Sequence, residues 1–234
     1  MKDKVKLEYL LPLRCIVFLL FYVFKALRMN SDISSWSVIA SITNIITIYI
    51  LTAAAKSRGM TYSQLINFRK RQFRANDILL IISFAAIGMA GMFLSGLVCY
   101  GTIQPEVSVR LIAPIPPFFA VANFLLLPIT ATIAEDGLYL GCGTARIENK
   151  YTAVIVPAFF YALQHCFTPA IFDVRYMVYR FLMFLPLTVI FCLYYQKKRS
   201  PIPVMISHGL LDLATSSSIL AMSVIPGAYE QWAG

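Results

Sequence analysis

The sequence predicts an all-α membrane protein, a polytopic helical bundle with about seven transmembrane helices. Of its 234 residues, 59% are hydrophobic and only 13% are charged, and the mean hydropathy is +0.73. A soluble domain typically has about twice that charged fraction. The apolar residues form runs of about 20, the length that crosses the hydrocarbon core of a bilayer. These runs occupy almost the whole chain, which predicts a single membrane domain over residues 1–234.

Seven apolar segments are predicted to span the membrane, and polar or basic residues separate them. They cover residues 10–27, 36–55, 78–100, 118–141, 151–167, 176–195 and 201–225. Arg14 and Lys25 lie near the ends of the first segment, where their side chains are expected to reach the lipid headgroups. Glycines in the third segment are expected to permit close helix packing. Pro128 is expected to kink the fourth segment.

The net charge of +9 follows membrane topology and does not indicate a nucleic-acid-binding surface. If the N-terminus is cytoplasmic, most lysines and arginines fall in the loops and ends on the inside, as the positive-inside rule requires. We therefore predict an integral membrane protein with a cytoplasmic N-terminus and no nucleic-acid partner. The compact length and short loops are typical of a protein of the bacterial cell membrane.

The most basic loop covers residues 56–77. Thr61 and Gln64 within it have the spacing of a capping box, which marks the start of a helix. Apolar residues follow among the basic ones. This pattern predicts a short amphipathic helix that lies on the anionic leaflet.

Two adjacent acids, Glu135 and Asp136, lie within the fourth apolar segment. Charged groups inside a membrane segment are costly and usually functional. Adjacent carboxylates cannot both ionise cheaply at low dielectric, and a carboxylate in such a place is suited to accept a proton from water. The alternative is a structural role, in which one acid pairs with a basic group such as Arg146 or Arg180.

The only two histidines of the chain, His165 and His208, also lie in apolar segments. His208 and Asp212 are four residues apart, so they share a helix face and Asp212 can orient the imidazole. Tyr161 and His165 share a face by the same spacing. A count of about 1.5 Å per residue from the cytoplasmic loops places Glu135 and His208 shallow and His165 deeper. We expect these polar faces to form one buried site.

These residues resemble the motifs of the CPBP family, which comprises CAAX prenyl endopeptidases of the Ras-converting type and bacterial relatives linked to bacteriocin processing and self-immunity. The family motifs are Glu-Glu-x-x-x-Arg, Phe-x-x-x-His and His-x-x-x-Asn/Asp. In this chain they read Glu135-Asp136-Gly137-Leu138-Tyr139-Leu140, Tyr161-Ala162-Leu163-Gln164-His165 and His208-Gly209-Leu210-Leu211-Asp212. The resemblance covers residues 113–216, which we predict to be the CPBP-like catalytic core.

The resemblance implies an intramembrane endopeptidase that cleaves a peptide or a lipid-linked protein near the cytoplasmic face of the bilayer. Glu135 would activate a water with help from His165, and His208 and Asp212 occupy the positions that stabilise the oxyanion in the family. An ionised carboxylate cannot donate a hydrogen bond, so Asp212 must be protonated or must only orient His208. The supporting residues are Asp136 and Tyr161.

The family has been described both as metalloproteases and as glutamate-dependent proteases. Glu135, His165 and His208 would be the ligands of a zinc ion. The sequence has no His-Glu-x-x-His motif, and we favour the metal-free mechanism, with no cofactor.

One departure from the family pattern concerns the first motif, whose arginine is Leu140 here. Asp136 thus lacks the partner that the resemblance implies. This favours an alternative function, a catalytically silent member that acts as a membrane scaffold, a regulatory protein or a bacteriocin-immunity protein. A third hypothesis is a small transporter, since buried acids and histidines also mark ion paths. The chain has no internal repeat, which argues against a transporter.

Overall fold

Long apolar helices make up most of the fold. The computed structural model describes residues 6–28, 35–68 and 74–233. The chain is 81% helical, and no strand occurs among the described residues, which confirms the predicted all-α class. The helices, in chain order, are α1 (Leu13–Arg28), α2 (Trp36–Lys56), α3 (Tyr62–Leu65), α4 (Ala75–Tyr100), α5 (Pro117–Ala131), α6 (Thr152–Leu163), α7 (Val174–Lys198), α8 (Ile202–Val224) and α9 (Ala228–Ala233).

Four further helical segments occur among the described residues. They are 3-10 turns at Leu7–Leu10, Glu106–Ile112 and Gln164–Phe167, and a π-helical segment at Thr132–Thr144 that continues α5.

Six of the predicted spans are long and apolar enough to cross a bilayer, and the chain is an integral membrane protein. The fifth predicted span, residues 151–167, is shorter than the others. Its apolar helix covers Thr152–Phe167, which at 1.5 Å per residue reaches about 24 Å, less than the roughly 30 Å of a bilayer core. This helix therefore ends inside the bundle, and its last turn lies within the core of the protein.

The glycines of α4 permit close packing, as predicted. A methyl group added at Gly91 would collide with the backbone oxygen of Met183 on α7. One added at Gly88 would lie 3.0 Å from Leu211 on α8. The absence of side chains at these positions lets α4 approach α7 and α8 closely.

The hydrogen-bond pattern of the fourth span changes shortly after Pro128. Pro128 lies inside α5, and from Thr132 onward the backbone is π-helical. At the end of this segment, Ala145 N donates to Leu140 O at 2.9 Å, a bond across five residues. π-helical turns are rare and occur frequently at functional sites. Both acids of the fourth span lie within this segment.

The loop between α2 and α4 differs from its prediction. The capping box between Thr61 and Gln64 is present, but α3 has only four residues. Leu65 and Ile66 are buried against Gly141 and do not face a leaflet. The prediction of an amphipathic surface helix is therefore wrong for this part of the loop, because the glycine leaves space that the apolar side chains fill. The basic residues at 69–73 lie outside the described residues.

Candidate active site

Glu135 lies in the π-helical segment and is held by two polar side chains from other helices. Arg14 on α1 donates to Glu135 Oε1 at 2.8 Å, and Gln164 donates to Oε2 at 2.6 Å. Arg14 also donates to Gln164 Oε1 at 2.7 Å, so the three side chains form a closed triangle. All three are buried. Hydrogen bonds that involve ionised groups are among the strongest in proteins, so this triangle fixes the carboxylate.

Both histidines face the same oxygen of Glu135. His165 Nε2 is 3.7 Å and His208 Nε2 is 3.9 Å from Glu135 Oε2. Both distances are longer than a direct hydrogen bond, and a water molecule can bridge such separations. The structure thus brings together the three side chains that we predicted to share one site.

The predicted difference in depth between His165 and the other two residues is wrong. The Nε2 atoms of His165 and His208 lie 3.7 and 3.9 Å from Glu135 Oε2, so the three groups lie at one depth. A residue count gives relative depth only if the helices begin at the same depth and run parallel to one another.

His165 is also fixed by an aromatic contact. Its ring stacks on Phe184 of α7, with centroids 3.6 Å apart and an interplanar angle of 7°. Its side chain retains 16% exposure, compared with 7% for Glu135. His165 is therefore held in a fixed orientation at the edge of the polar site, where it borders a cavity.

His208 is surrounded by oxygen atoms. Tyr161 Oη lies 2.9 Å and Asp136 Oδ2 3.5 Å from His208 Nδ1. Asp212 Oδ2 lies 3.4 Å from Nε2, on the ring edge that also faces Glu135. The expectation that Asp212 lies beside His208 on one helix face agrees with this geometry. Tyr161 and Asp136 hold the opposite edge of the ring.

Asp136 takes a partner other than an arginine. It is fully buried, and Tyr161 Oη donates to its Oδ1 at 3.0 Å. Its Oδ2 makes no hydrogen bond within the described part of the chain. Leu140, which replaces the family arginine, is fully buried in the main apolar core. The neighbours of Asp136 are therefore a tyrosine hydroxyl and the His208 ring, and not the arginine that the resemblance implied.

The basic residues considered as structural partners of the acids lie elsewhere. Arg180 packs over the Phe184 ring at 4.9 Å and donates to the backbone oxygen of His165 at 3.4 Å. Arg146 is exposed and contacts Met60 Sδ. Arg180 thus supports the turn that carries His165 and is not bonded to either carboxylate.

Sequence reasoning missed Arg14 and Gln164. Arg14 was expected to reach the headgroups, and that prediction is wrong, since only 1% of it is exposed and it contacts Glu135. Tyr139 completes the cluster by donating to Gln164 Oε1 at 3.0 Å. One signal was available: a charged residue inside an apolar span is expensive unless it has a partner within the bundle. Gln164 precedes His165 in the second motif and had no such signal.

A cavity of about 360 Å³ opens beside the two histidines. Most of its lining is apolar. It extends from Glu135 past the middle of α4 to Trp36, the 3-10 turn Glu106–Ile112 and Trp232. Trp36 Nε1 donates to Leu111 O at 3.1 Å, which ties that turn to α2. The cavity therefore connects the site with the end of the bundle where α2 begins.

The opposite end of the site is closed by the loop that contains α3. Tyr62 Oη donates to Ile133 O beneath the π-helical segment. Tyr195 Oη donates to Ile66 O at 2.9 Å, and Asn67 donates to Arg199 O at 2.5 Å. These bonds attach the loop to the ends of the helices near the basic residues 197–199.

The possible zinc ligands Glu135, His165 and His208 converge, but they do not fit a zinc ion in this geometry. Both oxygens of Glu135 already accept hydrogen bonds, and the Arg14 guanidinium lies 2.8 Å from one of them. A metal cation would be placed beside this fixed positive charge at low dielectric. Among the described residues, no cluster of three histidine, cysteine or acidic side chains is arranged to hold a metal.

A comparison with protein-family models matches residues 117–214 to the family described as Type II CAAX prenyl endopeptidase Rce1-like. The match begins at the first residue of α5 and ends within α8, so it contains every site residue predicted from the motifs. No curated protein and no solved structure matches the chain. Residues 117–214 are therefore similar to the Rce1-like type II CAAX prenyl endopeptidases, a family of membrane proteases, and this match confirms the resemblance to the CPBP family.

Proposed function

We propose that this protein is an intramembrane endopeptidase in which Glu135 activates a water molecule for attack on a peptide bond. The observation that carries this proposal is the convergence of Glu135 Oε2, His165 Nε2 and His208 Nε2, at 3.7 and 3.9 Å, beside an apolar cavity. A carboxylate and two imidazoles around one space supply the proton acceptor and the hydrogen-bond donors that hydrolysis needs. The match of residues 117–214 to a family of type II CAAX prenyl endopeptidases supports the same activity.

The proposal assigns each reacting group to a step of the hydrolysis. Glu135 takes a proton from the water, with His165 holding the water in place, and the water oxygen adds to the carbonyl carbon of the peptide. Negative charge then develops on the carbonyl oxygen. An N–H of His208 is the donor that stabilises it. When the carbon–nitrogen bond breaks, the proton on Glu135 passes to the leaving amine.

Asp212 is proposed to orient His208 and to make no contact with the oxyanion. Its Oδ2 is 3.4 Å from His208 Nε2, and an ionised carboxylate has no proton to donate. Asp136 and Tyr161 hold the ring from the Nδ1 edge. A change at Asp212 should therefore lower the rate less than a change at Glu135.

The proposed substrate is a peptide or a lipid-linked protein segment that lies in the bilayer. The apolar lining of the cavity supports a hydrophobic segment next to the cleaved bond. We further propose a bacterial cell membrane and a cytoplasmic N-terminus, on the distribution of basic residues. In that orientation the cavity opens toward the outer face, because the loop around Tyr62 and Ile66 covers the cytoplasmic side. This proposal departs from the expectation of cleavage near the cytoplasmic face.

The test is cleavage of candidate peptides by the purified protein in lipid nanodiscs, with wild type compared with Glu135→Gln. We expect Glu135→Gln to lower kcat/KM by about 10²–10⁴-fold, the usual contribution of a general base. Glu148→Gln is the matched control, because Glu148 is an exposed acid in the loop after the same span. Equal cleavage by wild type and Glu135→Gln would refute the proposed mechanism.

A catalytically silent family member is the second candidate, and two observations favour it. Leu140 replaces the motif arginine, and both oxygens of Glu135 are engaged by Arg14 and Gln164. In this case Glu135→Ala would keep full biological function in cells, whereas the protease would lose it.

Metal dependence is tested separately on protein that cleaves a peptide. We expect a strong chelator to leave the cleavage rate unchanged. The positive charge of Arg14 lies 2.8 Å from Glu135 Oε1 and would repel a metal cation bound there. A loss of activity that added zinc restores would contradict the metal-free mechanism.

A further inference from the structure

A row of buried polar residues follows one face of α2. Ser37, Ser41, Asn44 and Thr47 recur at intervals of three or four residues, the spacing of a single helix face. All four are buried, with exposures between 0% and 6%. The row spans about 15 Å along the helix axis at 1.5 Å per residue. It starts at the end of α2 that borders the cavity and ends beside Arg14.

Polar residues of α5 face this row. Ser41 Oγ donates to Asn123 Oδ1 at 2.8 Å, and Asn44 Nδ2 donates to Thr130 Oγ1 at 3.2 Å. We call these residues, together with Ser37 and Thr47, the α2–α5 polar seam. A polar strip between two membrane helices requires an explanation, because the flanking positions of α2 are apolar and exposed on the surface of the bundle.

The seam leads to the candidate catalytic carboxylate. Thr47 Oγ1 accepts a hydrogen bond from Arg14 Nη1 at 3.2 Å, and Arg14 Nη2 donates to Glu135 at 2.8 Å. Arg14 thus joins the last residue of the seam to Glu135. The seam and the site form one continuous polar region inside the bundle.

Three atoms of the seam have no hydrogen-bond partner among the residues that the structure describes. They are Ser37 Oγ, Asn44 Oδ1 and Asn123 Nδ2. Each residue is at least nine-tenths buried. A buried polar atom without a partner costs about 1–3 kcal/mol, and ordered water commonly satisfies such groups. The unpaired atoms occur at intervals along the seam, and each is a group to which an ordered water can bond.

We propose that the α2–α5 polar seam is a hydration track that binds a file of water molecules and leads them to Arg14 and Glu135. Hydrolysis consumes one water for each bond cleaved, and an apolar cavity filled by substrate is a poor route for water. The supply of water for catalysis rests on the proposed protease function, whereas hydration of the seam does not.

The alternative is that the seam only joins the two helices by interhelical hydrogen bonds, as polar residues often do in membranes. In that case each polar atom would be satisfied by its neighbour on the other helix. Ser41 and Thr130 follow this pattern. Asn44 and Asn123 each make one interhelical bond but leave Oδ1 and Nδ2, respectively, without a partner, and Ser37 Oγ has no partner among the described residues. Helix joining therefore accounts for part of the seam and leaves the unpaired atoms unexplained.

Cysteine accessibility tests the hydration of the seam without any need for activity. Single cysteines are placed at Ser37, Ser41 and Asn44 in a version that lacks the five native cysteines, and the protein in nanodiscs is treated with a small charged methanethiosulfonate. Ile42→Cys and Ile45→Cys are the matched controls, because these neighbours face lipid, with exposures of 53% and 51%. Only variants that keep the melting temperature of the cysteine-free parent are compared.

We expect the seam cysteines to react at least about tenfold faster than the lipid-facing cysteines, because the thiolate is the reactive form and forms in water, not in lipid. Unreactive seam cysteines, or equal rates at seam and control positions, would overturn the proposal. Ser37→Cys and Ser41→Cys change one atom each, so at least these two should fold.

A kinetic experiment then connects the seam to catalysis. Asn44→Leu has a similar volume and replaces the amide by an apolar group, so it should interrupt the file of waters. We expect kcat to fall while KM is unchanged, since the water supply is affected and the substrate contacts are not. If the seam is labelled but Asn44→Leu keeps the wild-type kcat, the track does not feed the reaction. If no variant or wild-type protein cleaves peptides, the proposed function fails and the labelling result still decides whether the seam is hydrated.

Discussion

The family-matched segment, residues 117–214, and the described helices before it contribute differently to the site. The later segment carries the acids, both histidines and Tyr161, the residues predicted from the three sequence motifs. The earlier helices carry Arg14, which binds Glu135, and the loop around Tyr62, which closes one end. The groups proposed for chemistry thus come from one part of the chain, and the groups that hold and enclose them come partly from the other.

This difference also concerns Leu140, which occupies the position of the motif arginine. The resemblance implies an arginine close to the second acid on the same helix. Here a buried arginine comes from α1 and binds the first acid, Glu135. Tyr161 donates to Asp136 Oδ1, and His208 Nδ1 lies 3.5 Å from Asp136 Oδ2. A cation is therefore still present beside the acidic pair, but it lies on another helix and has another partner.

The largest expected effect is that of Arg14→Leu. Removal of one member of a buried ion pair leaves an uncompensated charge and typically costs about 3–5 kcal/mol. We expect a large fall in the temperature of unfolding, measured in detergent micelles. Arg14→Leu combined with Glu135→Gln should recover part of the loss, because the remaining charge is then removed as well. Wild-type stability of the single variant would show that the earlier helices do not support the site.

The second largest effect is expected for Tyr161→Phe, a change within the family-matched segment. Tyr161→Phe restores the residue of the family motif but removes the hydroxyl that bonds Asp136 and faces His208. Loss of a hydrogen bond to a charged group costs about 1.5–3 kcal/mol. We expect lower stability and a lower kcat, because His208 loses a contact that orients it. Phe160→Leu, a change at a partly buried neighbour outside the site, is the control for a general packing loss.

The smallest effect tests the contact between the loop around Tyr62 and the π-helical segment. A methyl group at Gly137 would collide with the hydroxyl end of the Tyr62 side chain, which can move aside. We expect Gly137→Ala to cost about 1 kcal/mol by overpacking. Gly209→Ala is the matched control, since its new methyl group would meet Thr132 at 3.4 Å, an ordinary contact. If Gly137→Ala is as stable as Gly209→Ala, the loop does not pack tightly against this end of the site.

The sequence predicted the parts of the fold and site that depend on local pattern. Hydropathy predicted all the long spans, because a bilayer of fixed thickness requires runs of a fixed length. The spacing of Tyr161, His165, His208 and Asp212 predicted which side chains share a helix face, since helical periodicity decides that directly. The rarity of acids and histidines in apolar segments singled out Glu135 in the same way.

Only the tertiary structure decided which groups satisfy these polar residues. Arg14 and Glu135 are 121 positions apart, and no periodicity relates residues on different helices. The same limit applies to the loop around Tyr62, whose apolar residues were expected on a leaflet and instead fill the space left by Gly141. The sequence by itself thus determined the membrane bundle and its candidate catalytic residues, whereas packing decided their partners, because a buried charge pairs with whichever group the fold brings within reach.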